Sequence, residues 1–168
     1  MKQLLIFLVA VSFHGRAHTQ ITFSTVKGKK ANYSLSIPPG YQSKESIGAN
    51  VDIKYVDGEG ASIITVVRTL SSNVTNQDIR QMAQLSDADF KDQLESNGME
   101  NITVVKRGIT EINGVTTYYA YYRDDRLYFH TITQSRFGKI INLTYTCEYA
   151  RKDQYMPYIF RVVNSFKS

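Results

Sequence analysis

The sequence predicts an α+β domain, an antiparallel β-sheet meander sandwiched with helices. Three observations carry that expectation. Alternating apolar runs are separated by turn dipeptides, two helix starts fall between residues 75 and 98, and an apolar stripe at helical spacing closes the chain. No repeat, linker or low-complexity stretch interrupts residues 21–168, so a single domain is expected there, long enough to bury a core without covalent staples.

The first twenty residues, MKQLLIFLVAVSFHGRAHTQ, place Lys2 before an apolar run from Leu4 to Phe13, followed by small and polar residues around Ala17 and Thr19. That is the layout of a secretory signal peptide, expected over residues 1–20 with cleavage near Thr19 or Gln20. The run is about half of the ~20 residues that cross a bilayer. No second run follows, so stable membrane insertion is not expected. The cleavage region has no cysteine to take a bacterial lipid anchor, and the expected location is therefore secreted or periplasmic.

Within the domain, Tyr33, Leu35 and Ile37 alternate along an extended segment that Pro38, Pro39 and Gly40 stop. ANVDIKYV and ASIITVVRTL flank DGEG, whose glycines supply the positive φ of a tight hairpin turn. A first helix is expected from Thr75 or Asn76, carrying Ile79 and Met82. A second opens at Ser86, where Asp89 completes a capping-box spacing, and stops at Asn97-Gly98. Four strands follow, with turns at Asn113-Gly114, Asp124-Asp125 and near Phe137-Gly138. The last helix is expected from an Asp153 cap, with Met156, Ile159, Phe160, Val163 and Phe166 as its apolar stripe; Pro157 is tolerated in the first turn.

The stretch TTYYAYYRDDRLYFH, residues 116–130, holds five tyrosines, and turn register sorts them. Asn113-Gly114 sets 109 against 118, 107 against 120 and 105 against 122. Asp124-Asp125 sets 120 against 129, 122 against 127 and 119 against 130. Val105, Ile109, Tyr118, Ala120, Tyr122, Leu127 and Phe129 then share an apolar face, on which Arg107 needs a partner. Tyr119, Tyr121, Tyr128 and His130 share the opposite one with Lys106, Thr117 and Ile132. These four rings are the candidate binding residues if that face is open, and a second core layer if a helix covers it. Alternation in the following strand puts Cys147 with Ile141, Leu143 and Tyr145, expected on the apolar face away from His130.

IPPGY after the first strand, ITEINGVTTYYAYY, GKIINLTYTC and a closing helix ending RVVNSF occur in the order and spacing of a known family. Across residues 31–167 the chain resembles the PsbP-like domain, the fold of an extrinsic photosystem II subunit and of a transport factor that binds the GTPase Ran. The resemblance implies an antiparallel sheet between helical layers, and a binding or assembly module. Neither the photosystem nor the Ran role carries across, because no residue of those surfaces is matched and a fold does not transfer a function.

Composition narrows the chemistry. Lys2 and Arg16 are the only charged residues in the first twenty, so the remainder keeps eighteen basic and fifteen acidic side chains, scattered and without a stripe that would track a phosphate backbone. Nucleic acid is not an expected partner. His130 is the one histidine after position 20 and Cys147 the one cysteine of the chain, too few for a zinc site or a disulfide. A Cys147–His130 dyad would need both on one face. DGEG joins two strands and opens no helix, so it is no phosphate loop. Asp87, Asp89, Asp92 and Glu95, with Asp124 and Asp125, are the remaining catalytic resource, although helix first turns and hairpin tips recruit acids anyway.

The expectation is a secreted, non-catalytic binding or assembly module for an unknown protein or small ligand, with no catalytic residues, metal or cofactor and an open oligomeric state. The alternative is a carboxylate-dependent hydrolase acting on envelope polysaccharide, which requires two acids facing each other across one cleft.

Overall fold

A computed structural model describes residues 21–70 and 74–168; the expected signal peptide, residues 1–20, lies outside them. The elements are β1 (Ser24–Lys27), β2 (Ser34–Ile37), β3 (Gln42–Ser43), β4 (Val51–Val56), β5 (Ser62–Thr69), α1 (Asn76–Met82), α2 (Asp87–Ser96), β6 (Thr103–Ile112), β7 (Val115–Arg123), β8 (Leu127–Arg136), β9 (Lys139–Glu148) and α3 (Lys152–Ser165). β3 to β9 form a seven-stranded antiparallel sheet in the order β3-β4-β5-β9-β8-β7-β6, and β1 pairs with β2 in a separate ribbon. The α+β class and the meander from β6 to β9 are as expected. The short strands β1 and β3 carry too little pattern to be read from the sequence.

Both faces of the sheet are covered. On one, α3 and the β1–β2 ribbon bury Leu35, Ile37, Ile132, Leu143, Tyr145, Ile159 and Phe166 in the larger core. On the other, α1 and α2 close over Ile79, Ile102, Tyr118, Ala120 and Tyr122, with Phe90 meeting Tyr118 and Tyr122 edge-on. Tyr118 and Tyr122 are thus core, as their register predicts. Each fully buried aliphatic or aromatic side chain contributes about 1.5–3 kcal/mol, so the two layers together dominate stability.

Local signals place the helices. Thr75 and Ser86 cap α1 and α2 with complete capping boxes to Asp78 and Asp89. Gly98 follows α2 at φ 85°, the left-handed stop its sequence predicts. Arg107 finds its partner at the junction of these helices. Its Nε lies 2.5 Å from Asp87, its other nitrogens donate to the Met82 and Leu85 carbonyls, and its guanidinium rests over Phe90 at 5.6 Å.

Four details correct the sequence reading. The β7–β8 turn is Asp125-Arg126, closed by the Asp124 amide donating to the Leu127 carbonyl at 3.1 Å. The pairing is therefore Ala120 with Thr131 and Tyr121 with His130, two residues from the expected register. A slip of two preserves the side-chain faces. Asp124 causes it, since its carboxylate accepts from the Arg126 and Leu127 amides and so occupies the position before the turn. Second, the register of β6 breaks at Val105, which bulges out and is exposed while Val104 opposes Tyr122. Third, Cys147 opposes Tyr128 and lies on the face of His130, because both faces of this sheet are apolar and apolarity alone cannot assign one. Fourth, α3 starts at Lys152 after a 3-10 turn, Tyr149–Arg151, so Asp153 stands inside the first turn. Its buried residues are Tyr155, Ile159, Val162 and Val163, which leaves Phe160 outward.

Candidate functional site

The four sequence-predicted binding residues share one sheet face but not one environment. Tyr128 and His130, on the central strand β8, lie under α3 and are buried, His130 with only 1 % of its surface exposed. Tyr119 and Tyr121, on β7, are half-buried where α3 stops short of the outer strands. α2 packs on the opposite face and covers none of the four. The rings nonetheless form a continuous row. Tyr119 and Tyr121 are 5.0 Å apart, Tyr121 and His130 3.9 Å, and Phe160 meets His130 edge-on at 6.0 Å. Phe160 is 47 % exposed and ends the row at the surface.

Gly108 lets Tyr119 lie flat. It opposes Tyr119 across the β6–β7 pair, and a Cβ there would sit 3.1 Å from the tyrosine oxygen. The ring thus covers a bare stretch of the edge strand, as aromatic side chains do beside edge glycines. Lys106 sits over the same ring at 5.8 Å, adding a positive charge to the aromatic surface.

His130 is chemically quiet in this setting. Neither ring nitrogen has a hydrogen-bond partner, and burial pushes its pKa down to about 4, so the imidazole is neutral at ordinary pH. Cys147, on the same face, is buried and its thiol is pushed up to about 11, mainly by that burial. The thiol is therefore protonated, and no activated nucleophile results.

A pocket of about 530 Å³, not anticipated from the sequence, opens between the Pro38-Pro39-Gly40-Tyr41 turn, the β4–β5 hairpin and the start of α3. Tyr155 donates to Asp57 at 2.6 Å, Arg151 pairs with Glu59 and stacks over Tyr155 at 5.3 Å, and the Tyr41 and Tyr145 hydroxyls bond to each other. Burial and Asp57 raise the Tyr155 pKa, so it acts as a donor and not as a base. Turn chemistry explains IPPGY and DGEG in sequence terms, and the apolar stripe expected for α3 does not include Tyr155. Nothing linear therefore joined these segments.

The acids serve local structure. Asp87 holds Arg107, Asp89 caps α2, Asp124 sets its turn and Asp125 accepts from Asn101 at 2.7 Å. Among the described residues no group of three or more histidines, cysteines or acids could hold a metal ion. No helix among them is long and apolar enough to cross a membrane.

No family model matches the chain, and no curated protein matches it by sequence. Solved structures do match in shape. A cyanobacterial PsbP (CyanoP) from Synechocystis sp. PCC 6803 superposes with a TM-score of 0.69 at 17% identity, over 90% of this chain and 95% of that one. LpqN of Mycobacterium tuberculosis, described as involved in cell envelope biogenesis, superposes with a TM-score of 0.61 at 9% identity, over 88% of this chain and 91% of that one. An antiparallel sheet enclosed by helical layers, matched along nearly the full length of both structures, establishes that this chain has the PsbP-like fold.

Proposed function

We propose that the protein is an exported, non-catalytic binding or assembly module that holds a protein partner against the row formed by Tyr119, Tyr121 and Phe160. Tyr128 and His130 lie beneath as its support. The observation that carries this reading is the row itself: rigid aromatic rings in contact, half-covered, ending in an exposed phenylalanine on the helix that buries Tyr155, Ile159, Val162 and Val163. Such rings supply contact area at low entropic cost. Support also comes from similarity to an envelope-biogenesis protein and to a PsbP, and from the layout of residues 1–20.

The polysaccharide hydrolase reading has no comparable support, since Asp87, Asp89 and Asp124 are committed to an ion pair, a cap and a turn, and Asp125 accepts from the Asn101 amide. The test is affinity capture from the host's envelope fraction, with the Tyr119→Ser and Phe160→Ser variants as controls. A partner retained by the parent protein and lost by both variants supports the proposal. A partner retained equally by all three places binding elsewhere and defeats it.

A further inference from the structure

One end of the molecule combines features that fold stability does not explain. Strand register brings the end of β5 beside the β8–β9 turn, because Thr69 and Arg136 both oppose Lys139, and the Val67 amide donating to the Asn50 carbonyl adds the 44–50 loop. Side chains knit these loops into one platform. Lys30 Nζ donates to the Ala49 carbonyl at 2.5 Å, and Lys139 Nζ donates to the Lys30 carbonyl at 2.5 Å. The Lys29 and Lys30 amides both donate to the buried Asp52 carboxylate.

Two side chains stand out from this platform. Phe137 is 84 % exposed and Ile47 82 %, and neither belongs to an apolar core. Single exposed hydrophobics are ordinary, but Phe137 is costly twice over. It occupies the first position of a two-residue turn at φ 49°, followed by Gly138 at φ 72°. That conformation favours asparagine or glycine, and a bulky residue there is strained. The same chain shows the favoured solution at its other tight turn, Asn113-Gly114, with φ 51° and 76°. Phe137 therefore bears backbone strain and full hydration with no intramolecular return.

Charge is also polarised. Lys29, Lys30, Lys44, Arg136 and Lys139 are carried by these loops and strand ends, whereas the acids beside them are Glu45 and Asp52, the latter already bonded by amides and by Tyr33. The other end of the sheet is mixed, with Asp57, Glu59, Asp124, Asp125 and Glu148 standing among Arg123, Arg126, Arg151 and Lys152. A polyanion would be met by the lysines alone, and a protein partner by one contiguous patch. Here the apolar groups stand on separate loop tips, with two to three strand spacings between the strands that carry them, and both loops sit at an end of the sheet where basic side chains outnumber acidic ones. Shallow insertion at separate points beside anionic headgroups is the arrangement that uses both features.

We propose that this end of the molecule docks on an anionic lipid surface, with Phe137 and Ile47 entering the headgroup–acyl boundary and the lysines of these loops meeting the lipid charges. The test is vesicle co-sedimentation of the chain from Ile21, which contains every element and both cores described above. Co-sedimentation with phosphatidylglycerol–phosphatidylcholine vesicles, weakened by salt and absent with pure phosphatidylcholine, is expected. Phe137→Asn and Ile47→Ser should each weaken it by about tenfold or more, as loss of a buried apolar side chain requires. Lys29→Glu combined with Lys44→Glu should do the same. Phe137→Asn installs the residue the turn favours, so its melting temperature should hold or rise, which separates lost docking from lost folding. No binding to anionic vesicles, equal binding by Phe137→Asn, or retention on heparin without vesicle binding would each overturn the proposal.

Discussion

At the scale of single residues, His130 makes stability depend on pH. Its folded pKa lies near 4 and its unfolded value near 6.5, so below neutrality the unfolded chain takes up a proton that the folded chain refuses. Stability is fully present above about pH 6.5 and is lost as pH falls toward 4, by about 3 kcal/mol at this site. Urea midpoints measured across that window should fall faster for the parent protein than for His130→Leu, and parallel curves would refute the assignment. The groups that face this ring, Tyr121, Tyr128, Tyr145 and Cys147, are uncharged in the window, so the difference curve isolates it. Cys147 should be inert to a thiol reagent at pH 8 until the protein is unfolded in urea, since its thiol is both buried and held protonated. Asp52 accepts the Lys29 and Lys30 amides and the Tyr33 hydroxyl at 2.6 Å in a buried position. Asp52→Ala should cost about 2 kcal/mol by thermal or urea unfolding, because it leaves the Lys29 and Lys30 amides without an acceptor and the Tyr33 hydroxyl with Thr65 alone.

At the scale of elements, α3 offers a direct comparison of neighbours. Ile159 is fully buried and Phe160 faces outward, so Ile159→Ala should destabilise by about 3 kcal/mol and Phe160→Ala by well under 1. Equal losses in denaturant titrations would mean the helix is rotated. The same pair shows why spacing misassigns the stripe: apolar residues occupy both 159 and 160, and spacing cannot say which faces the sheet until the start of the helix is known. That start depends on a 3-10 turn that carries no side-chain cap. α2 is the opposite case. Ser86, Asp89 and Gly98 announce both its ends, and the helix runs between them, so Ser86→Ala should cost about 1 kcal/mol in the same titrations.

At the scale of the whole molecule, strand order sets where the fold is firmest. β9, β8 and β5 are paired on both sides, whereas β6 and the two-residue β3 are edges. Amide hydrogen exchange should accordingly be slowest in β8 and β9 and fastest in β1, β3 and the bulged start of β6. Pairing of β5 with β9 joins segments about seventy-five residues apart and creates the platform end, the pocket beside Tyr41 and the burial of Tyr128 and His130 together. From residues alone came the α+β class, the β4–β5 and β6–β7 hairpins, the caps of α1 and α2, the core positions of Tyr118 and Tyr122, and the sharing of one face by Tyr119, Tyr121, Tyr128 and His130. Each of these rests on interactions between near neighbours in the chain, whose geometry a period of two, a capping spacing or an Asn-Gly turn dictates. Only the tertiary structure decided which layer covers each face, that Cys147 lies on the side of His130, and that Lys139 reaches the Lys30 carbonyl and Lys30 the Ala49 carbonyl at one end of the sheet. Those outcomes depend on long-range burial, and in a sheet that is apolar on both sides the sequence pattern is the same whichever helix lies above it.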